Sequence, residues 1–168
     1  MKIILHLATS ADGFIAKSDG DSNWVSQTDE ALFVARVRDA GCVVVGKKTF
    51  EQYHNVIYPV SGALNIVLTN DTGFSPEEEG VMIAHSPDEA ISIAKEFQFQ
   101  KMLIAGGAKT AAAFLEAGLI DDVYISVHPL TLGTGLKPFD DLSRNPKYKL
   151  IEEKRLNENI TELHYTMV

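Results

Sequence analysis

The run Lys101-Met-Leu-Ile-Ala-Gly-Gly-Ala-Lys-Thr-Ala-Ala-Ala-Phe-Leu constrains this chain more than any other stretch. Residues 102–105 are short, apolar and suited to a strand covered on both faces. Gly106 and Gly107 let the backbone turn sharply and come close to a ligand. From Ala108 onward the residues favour helix, with Phe114 and Leu115 on the apolar side and Gly118 as the stop. A strand that passes through glycines into a helix start leaves N–H groups pointing outward at the positive end of the helix dipole, which suits a diphosphate. The same turn can also close without any ligand. It matches neither a Walker loop, which needs glycines where Leu103 and Ala108 stand, nor G-x-G-x-x-G. Its meaning depends on the rest of the chain.

The remainder repeats the theme. Residues 3–8 read as an apolar strand that runs into a polar loop with turns at Asp12-Gly13 and Asp19-Gly20. Within that loop Phe14, Ile15 and Trp24 either plug the edge of the core or line a pocket. Thr28 is the expected N-cap of a helix to about residue 40, with Asp29 and Glu30 in its first turn and Leu32, Phe33, Ala35 and Val37 inward. Residues 42–45 form a second buried strand, and Gly46-Lys-Lys-Thr opens a short helix to about residue 53. Residues 63–69 and 81–84 are strands. Ser86-Pro-Asp-Glu then starts a helix, with Ser86 as N-cap, Pro87 at the first helical position and Glu89 completing a capping box. Ala90, Ile91, Ala94 and Phe97 are its expected inward positions. Residues 121–128 are another strand, and 148–156 with 160–168 read as a hairpin across Asn157-Glu-Asn.

Strands alternating with helices imply an α/β fold: three layers, a doubly wound and mostly parallel sheet, and a C-terminal antiparallel hairpin at one edge, all within one domain spanning 1–168. Ligands of such sheets bind beyond the carboxyl ends of the strands. Four candidate positions lie there: 8–10, 46–49, 69–70 and 106–107.

Composition narrows the partners. A net charge of −8 over 168 residues argues against nucleic acid, and an anionic cofactor would need local lysines. The first apolar run is too short for a signal peptide or a membrane span, so a cytoplasmic location is expected. The lone cysteine, Cys42, falls in an apolar run and reads as buried. The five histidines show no metal-ligand spacing, and no serine sits in a nucleophile elbow. The chemistry left open is the kind a bound cofactor carries, such as hydride transfer.

Several side chains have two readings. Lys47 and Lys48 are either solvated or phosphate ligands at a helix start. Thr69 and Asn70 could add donors around a 2′-phosphate. Asp29 either complements the helix dipole or is a partly buried carboxyl near Trp24 with a raised pKa, able to hold or relay a proton. Asp12 reads as a turn-forming residue. His6 and His128 either face the pocket end of their strands or are satisfied structural residues.

Five segments, in this order and spacing, resemble the dihydrofolate reductase-like superfamily. They are Ser10-Ala-Asp-Gly-Phe-Ile-Ala, Gly46-Lys-Lys-Thr-Phe-Glu, Ile104-Ala-Gly-Gly-Ala, Gly118-Leu-Ile-Asp-Asp and Pro129-Leu-Thr-Leu-Gly-Thr-Gly-Leu-Lys-Pro-Phe. Within it the chain is most similar to the reductase domain of riboflavin biosynthesis, as a stand-alone member. The resemblance implies an NADPH-dependent reductase. The backbone of Ala8 and Ile15 would meet the nicotinamide carboxamide. Gly46, Lys47, Lys48 and Thr49 would bind the phosphate region, with Lys47 near the 2′-phosphate, and Thr69 and Asn70 would flank the adenosine. Gly106, Gly107, Ala108, Lys109 and Thr110 would cradle the diphosphate. Trp24 and Asp29 share the separation of a pocket tryptophan and the active-site acid in folate reductases, which implies Asp29 as the catalytic group, with Trp24, Ser10 and His6 beside the substrate.

Ala111 stands where folate reductases carry an aromatic, and those enzymes lack the Gly133-Thr-Gly135 loop. Both differences point to the riboflavin-type branch. His6 replaces the lysine usual there, so the substrate stays open. The expected function is hydride transfer to a small polar substrate, resembling 5-amino-6-(5-phosphoribosylamino)uracil reductase. Dihydrofolate reduction proper and a non-catalytic nucleotide-binding module on the same fold are the alternatives. Relatives of the riboflavin type are dimers, which makes a homodimer through the hairpin edge an expectation.

Overall fold

The computed structural model describes residues 1–139 and 142–168. In chain order the elements are β1 (Lys2–Ser10), α1 (Gln27–Ala40), β2 (Cys42–Gly46), α2 (Lys47–Gln52), β3 (Leu64–Leu68), β4 (Val81–Ala84), α3 (Pro87–Glu96), β5 (Lys101–Gly106), α4 (Ala108–Glu116), β6 (Asp122–His128), β7 (Tyr148–Arg155) and β8 (Thr161–Met167). They build one eight-stranded sheet in the order β4-β3-β2-β5-β1-β6-β8-β7. The six strands β1–β6 run parallel, while β8 is antiparallel to both β6 and β7.

Helices cover both faces of the parallel part. Ile3, Leu5 and Leu7 of β1 pack with Met102 and Ile104 of β5 against Ala90, Ile93 and Ala94 of α3 and Ala111, Phe114 and Leu115 of α4. On the opposite face Val43, Val45, Val67 and Leu103 meet Val37 and Ala40 of α1 and Phe50 of α2. Successive strand residues serve opposite faces, so a strand covered twice is apolar at every position. That is why 42–45 reads as an unbroken apolar run. The Cys42 thiol lies in that core, where burial pushes it up to about 12 and leaves it unreactive.

Strand β5 sits between β1 and β2, although it follows both in sequence. The chain moves outward from β1 to β2, β3 and β4, then returns to fill the gap with β5 before crossing to β6. The carboxyl ends of β1, β2 and β5 therefore become neighbours at the point where the winding changes direction.

Local details correct several expectations. The N-cap of α1 is Ser26, not Thr28: the Ser26 Oγ accepts the Asp29 N–H (3.2 Å). The helix begins earlier than expected because Asp29 takes the third helical position. Its inward stripe is Asp29, Phe33, Arg36, Val37 and Ala40, while Ala35 is exposed. In α3 the Ser86 Oγ accepts the Glu89 N–H as expected, but Glu89 reaches back to the His85 N–H rather than to Ser86. Phe97 is exposed and stacks on Phe99, because α3 ends one residue before it.

The loop after β1 is clasped to the loop after β6. Ser10 Oγ donates to Asp12 Oδ1 (2.6 Å), and the N–H groups of Leu132 (3.1 Å) and Gly133 (2.8 Å) donate to the same carboxylate. The Ile15 N–H donates to the Leu136 carbonyl, and the Leu136 N–H donates to the Ala16 carbonyl. The Ser10 hydroxyl and the Gly133 N–H lower the Asp12 carboxyl to about 2. A folded pKa below the unfolded one means the clasp stabilises the loops above the usual carboxylate range and fails as pH falls through about 2. Asp12→Ala is expected to make residues 129–139 the preferred site of limited proteolysis at neutral pH, where the parent resists cleavage. An unchanged digestion pattern would contradict the clasp.

Among the described residues no helix is long and apolar enough to cross a membrane.

Candidate active site

A cleft of about 1120 Å³, counting its open mouth, lies over the carboxyl ends of β1, β2 and β5. One wall is the glycine turn. Gly106 takes φ +88°, the Gly106–Gly107 peptide is cis, and Gly107 N-caps α4 with no side chain closing the cap. Among the described residues no side chain caps the first-turn N–H groups of α4. A Cβ on Gly46 would lie 2.6 Å from Thr110 Oγ1, and one on Gly107 would lie 3.2 Å from Thr49 Oγ1. The starts of α2 and α4 thus approach each other through glycine backbone, with two threonine hydroxyls between them. Gly107, Ala108, Thr49 and Lys48 line the cleft here. Backbone donors, a hydroxyl and a cation around a space shaped by glycine fit a diphosphate.

The two lysines separate. Lys48 faces the cleft. Lys47 lies outside it, with Nζ 2.8 Å from Asp71 and 3.4 Å from Glu51. Its hydrogen bond to Asp71 holds the ammonium above its ordinary pKa. The Thr69 Oγ1 accepts the Asp71 N–H (3.1 Å), which puts the Thr69-Asn70 corner next to Lys47 and beyond the cleft lining. Lys109 is exposed, and Thr110 is buried beneath the turn.

The other wall is polar and buried. Asp29 is 2% exposed and His6 5%, and both border the cleft. Asp29 Oδ1 stands 3.6 Å from His6 Nε2. Both atoms lack any other partner among the described residues, as do Trp24 Nε1 and Ser126 Oγ nearby. Burial pushes the Asp29 carboxyl up, but the facing His6 side chain pulls it further down, so it rests below the usual carboxylate range, which corrects the raised pKa expected of a partly buried acid. Ile15, Ala8, Phe33 and the buried Tyr58 close this end.

Sequence and structure agree on much of the lining. His6, Ala8, Ile15, Asp29, Lys48, Thr49, Gly107 and Ala108 come together. Ser10 does not join them: it is buried, with its hydroxyl committed to Asp12 and to the Phe14 N–H. Trp24 stands behind the wall, edge-on to His128. Gly46 and Gly106 support the turn from beneath.

Comparison with known proteins places this arrangement. The RibD C-terminal domain family matches residues 1–161. The chain belongs to that family. In this chain the glycine turn and the buried acid border the same cleft. The uncharacterized protein YwjB of Bacillus subtilis is 26% identical over 98% of this chain and 97% of its own length. The riboflavin biosynthesis protein RibD of Corynebacterium ammoniagenes is 25% identical over 80% of the chain, which spans only 44% of that protein. Among solved structures, a putative riboflavin biosynthesis protein from Shewanella superposes with a TM-score of 0.82, at 25% identity over 100% of this chain and 99% of that one. RibD of Acinetobacter baumannii superposes at 0.78 over 99% of this chain and 58% of that one, at 21% identity.

Side chains that escaped the sequence reading include Tyr58, Gln52 and Tyr53 in the lining and Arg36, Ser126 and Glu162 behind the acid wall. Arg36 had a usable signal. It lies seven residues after Asp29 and three after Phe33, on the same helical face, where an arginine must find a buried partner. Ser126 and Glu162 had none, because strand periodicity does not say which face meets α1.

Proposed function

We propose that this chain is an NADPH-dependent reductase that passes hydride to a small polar acceptor, of the class reduced by 5-amino-6-(5-phosphoribosylamino)uracil reductases. Membership of the RibD C-terminal domain family makes a reductase the leading class. The observation that carries the finer reading is the shared cleft: the glycine turn of α4 and the buried Asp29–His6 pair face the same space. NADPH, when bound, supplies the hydride. The N–H groups at Gly107 and Ala108, with Thr49 and Lys48, hold the diphosphate. The backbone at Ala8 and Ile15 orients the nicotinamide toward the acid wall. Asp29 holds or relays the proton that must accompany hydride at a C=N or C=O group. The apolar side chains around it keep bulk water from the reacting atoms.

Lys47 lies beside the Thr69-Asn70 corner, and both belong to the 2′-phosphate end of this reading. A 2′-phosphate there would compete with Asp71 for the Lys47 ammonium.

Nicotinamide fluorescence during titration of the purified protein with NADPH and NADH tests the cofactor. A panel of pyrimidine, pterin and carbonyl acceptors, with dihydrofolate included, then tests the substrate. Absence of binding by either nucleotide below millimolar concentration would sink the proposal. Lys47→Ala is expected to cut the preference for NADPH over NADH about tenfold, the loss of one charge-assisted contact. An unchanged preference removes Lys47 from the site.

A further inference from the structure

Behind the acid wall lies a line of buried polar groups that the proposed reaction does not itself require. Arg36 Nη1 is 2.9 Å from His6 Nδ1. The same guanidinium is gripped by Glu162 through Nη1 and Nη2, at 2.5 and 2.7 Å, and lies 3.8 Å over the Tyr124 ring. Glu162 is 3% exposed. Arg36 therefore has little freedom to rotate away from His6, and its charge is matched by a carboxylate in a two-pronged pair.

We propose that Arg36 is a positioning residue that fixes the proton of the pocket histidine, so that His6 is the neutral Nε2–H tautomer with that hydrogen directed at Asp29 Oδ1. A guanidinium has donors and no acceptor. The 2.9 Å contact is a hydrogen bond only if His6 Nδ1 offers a lone pair. The ring hydrogen is then left on Nε2, the nitrogen that faces Asp29 at 3.6 Å. An imidazolium, or the Nδ1–H tautomer, would set N–H against N–H in a buried site.

The groups facing His6 agree with this assignment. From α1 they are Asp29, Phe33 and Arg36. From β6 it is Tyr124, the register partner of His6, whose ring lies under the guanidinium. Glu162 of β8 is spent on Arg36. Strand β5 brings only Lys101 as a charged group, and it sits opposite Lys2 at the far end of β1. His128, behind Asp29, accepts the Ser26 N–H at Nε2 and donates from Nδ1 to the Ser126 carbonyl, so its own hydrogen is turned away from Asp29. Of the two imidazoles, His6 is therefore the one whose ring hydrogen is turned toward Asp29. In turnover, a role that rests on the reductase reading, His6 holds one lobe of the Asp29 carboxylate and sets the orientation from which Asp29 meets the substrate.

Heteronuclear NMR of the imidazole nitrogens in the ligand-free protein at neutral pH tests the assignment without any cofactor, with His6→Gln to identify the signals. The expected spectrum shows a bare Nδ1 and a protonated Nε2 for His6. In an Arg36→Met/Glu162→Met variant, which leaves neither charge buried alone, the His6 signals should shift toward mixed tautomers. A protonated Nδ1 in the parent protein overturns the proposal. A folded double variant with the parent tautomer overturns the part assigned to Arg36. If the double variant does not fold, the parent spectrum still decides the tautomer. Failure of NADPH to bind would refute the reductase reading and leave this result standing.

Discussion

Asp29→Asn is expected to lower turnover by about 100-fold or more, the scale of losing a general acid–base group, on whichever acceptor the parent reduces. NADPH affinity should not move, because Asp29 lies at the far wall from the glycine turn. The physical case is the setting of this carboxyl. It is 2% exposed, borders the cleft, and faces an imidazole nitrogen at 3.6 Å. Asparagine keeps the shape and cannot take up or release the proton. The acid dependence of stability should change too. Asp29 rests below the usual carboxylate range when folded, so the parent gains stability from it above that range and loses the gain as pH falls through the folded value. The asparagine variant lacks that component of acid unfolding. Full turnover in Asp29→Asn, with the fold intact by circular dichroism, would remove Asp29 from the mechanism.

Gly46→Ala is expected to cost about 1–3 kcal/mol of stability, as overpacking does, and to weaken NADPH binding at least tenfold, about 1.4 kcal/mol. The backbone does not object to alanine, since Gly46 has φ −70° and ψ 145°. The obstacle is steric. The new methyl group would lie 2.6 Å from the Thr110 Oγ1, and Thr110 is buried in the first turn of α4. Either the threonine or the whole helix start must move, and the helix start is the wall proposed to hold the diphosphate. Adding Thr110→Ala removes the colliding atom. The double variant should recover most of the stability, so the two changes are strongly non-additive in a thermal or denaturant melt. A Gly46→Ala protein that melts with the parent and binds NADPH equally well would refute this account of the turn.

The fold was largely legible beforehand because its signals are local. Unbroken apolar runs at 42–45 and 102–105 mark strands covered on both faces. Ser86-Pro87 marks a helix start, and Asn157 marks the hairpin turn, where its Oδ1 accepts the N–H groups of Asn159 and Ile160. Misreadings came where two local signals competed. Ser26 and Thr28 can both cap α1, and the choice fell to Ser26 because Asp29 must reach the sheet. The polarity of β6 hid which of its faces meets α1, because both faces are covered.

The candidate site divides in the same way. Glycine positions and the alternation of strand and helix are written into neighbouring residues, so the sequence by itself determined the doubly wound sheet and the strand ends where a ligand would lie. Tertiary structure alone decided which polar side chains meet at the cleft wall and behind it. His6, Arg36 and Glu162 come from β1, α1 and β8, and only the placing of β6 between β1 and β8 and the packing of α1 bring them within hydrogen-bonding range, with Asp29 3.6 Å from His6. Their meeting also decides what each can do. A carboxyl at a helix start is an ordinary dipole partner in water, but buried beside an imidazole at the cleft it is held as the carboxylate, facing the space where a substrate would lie.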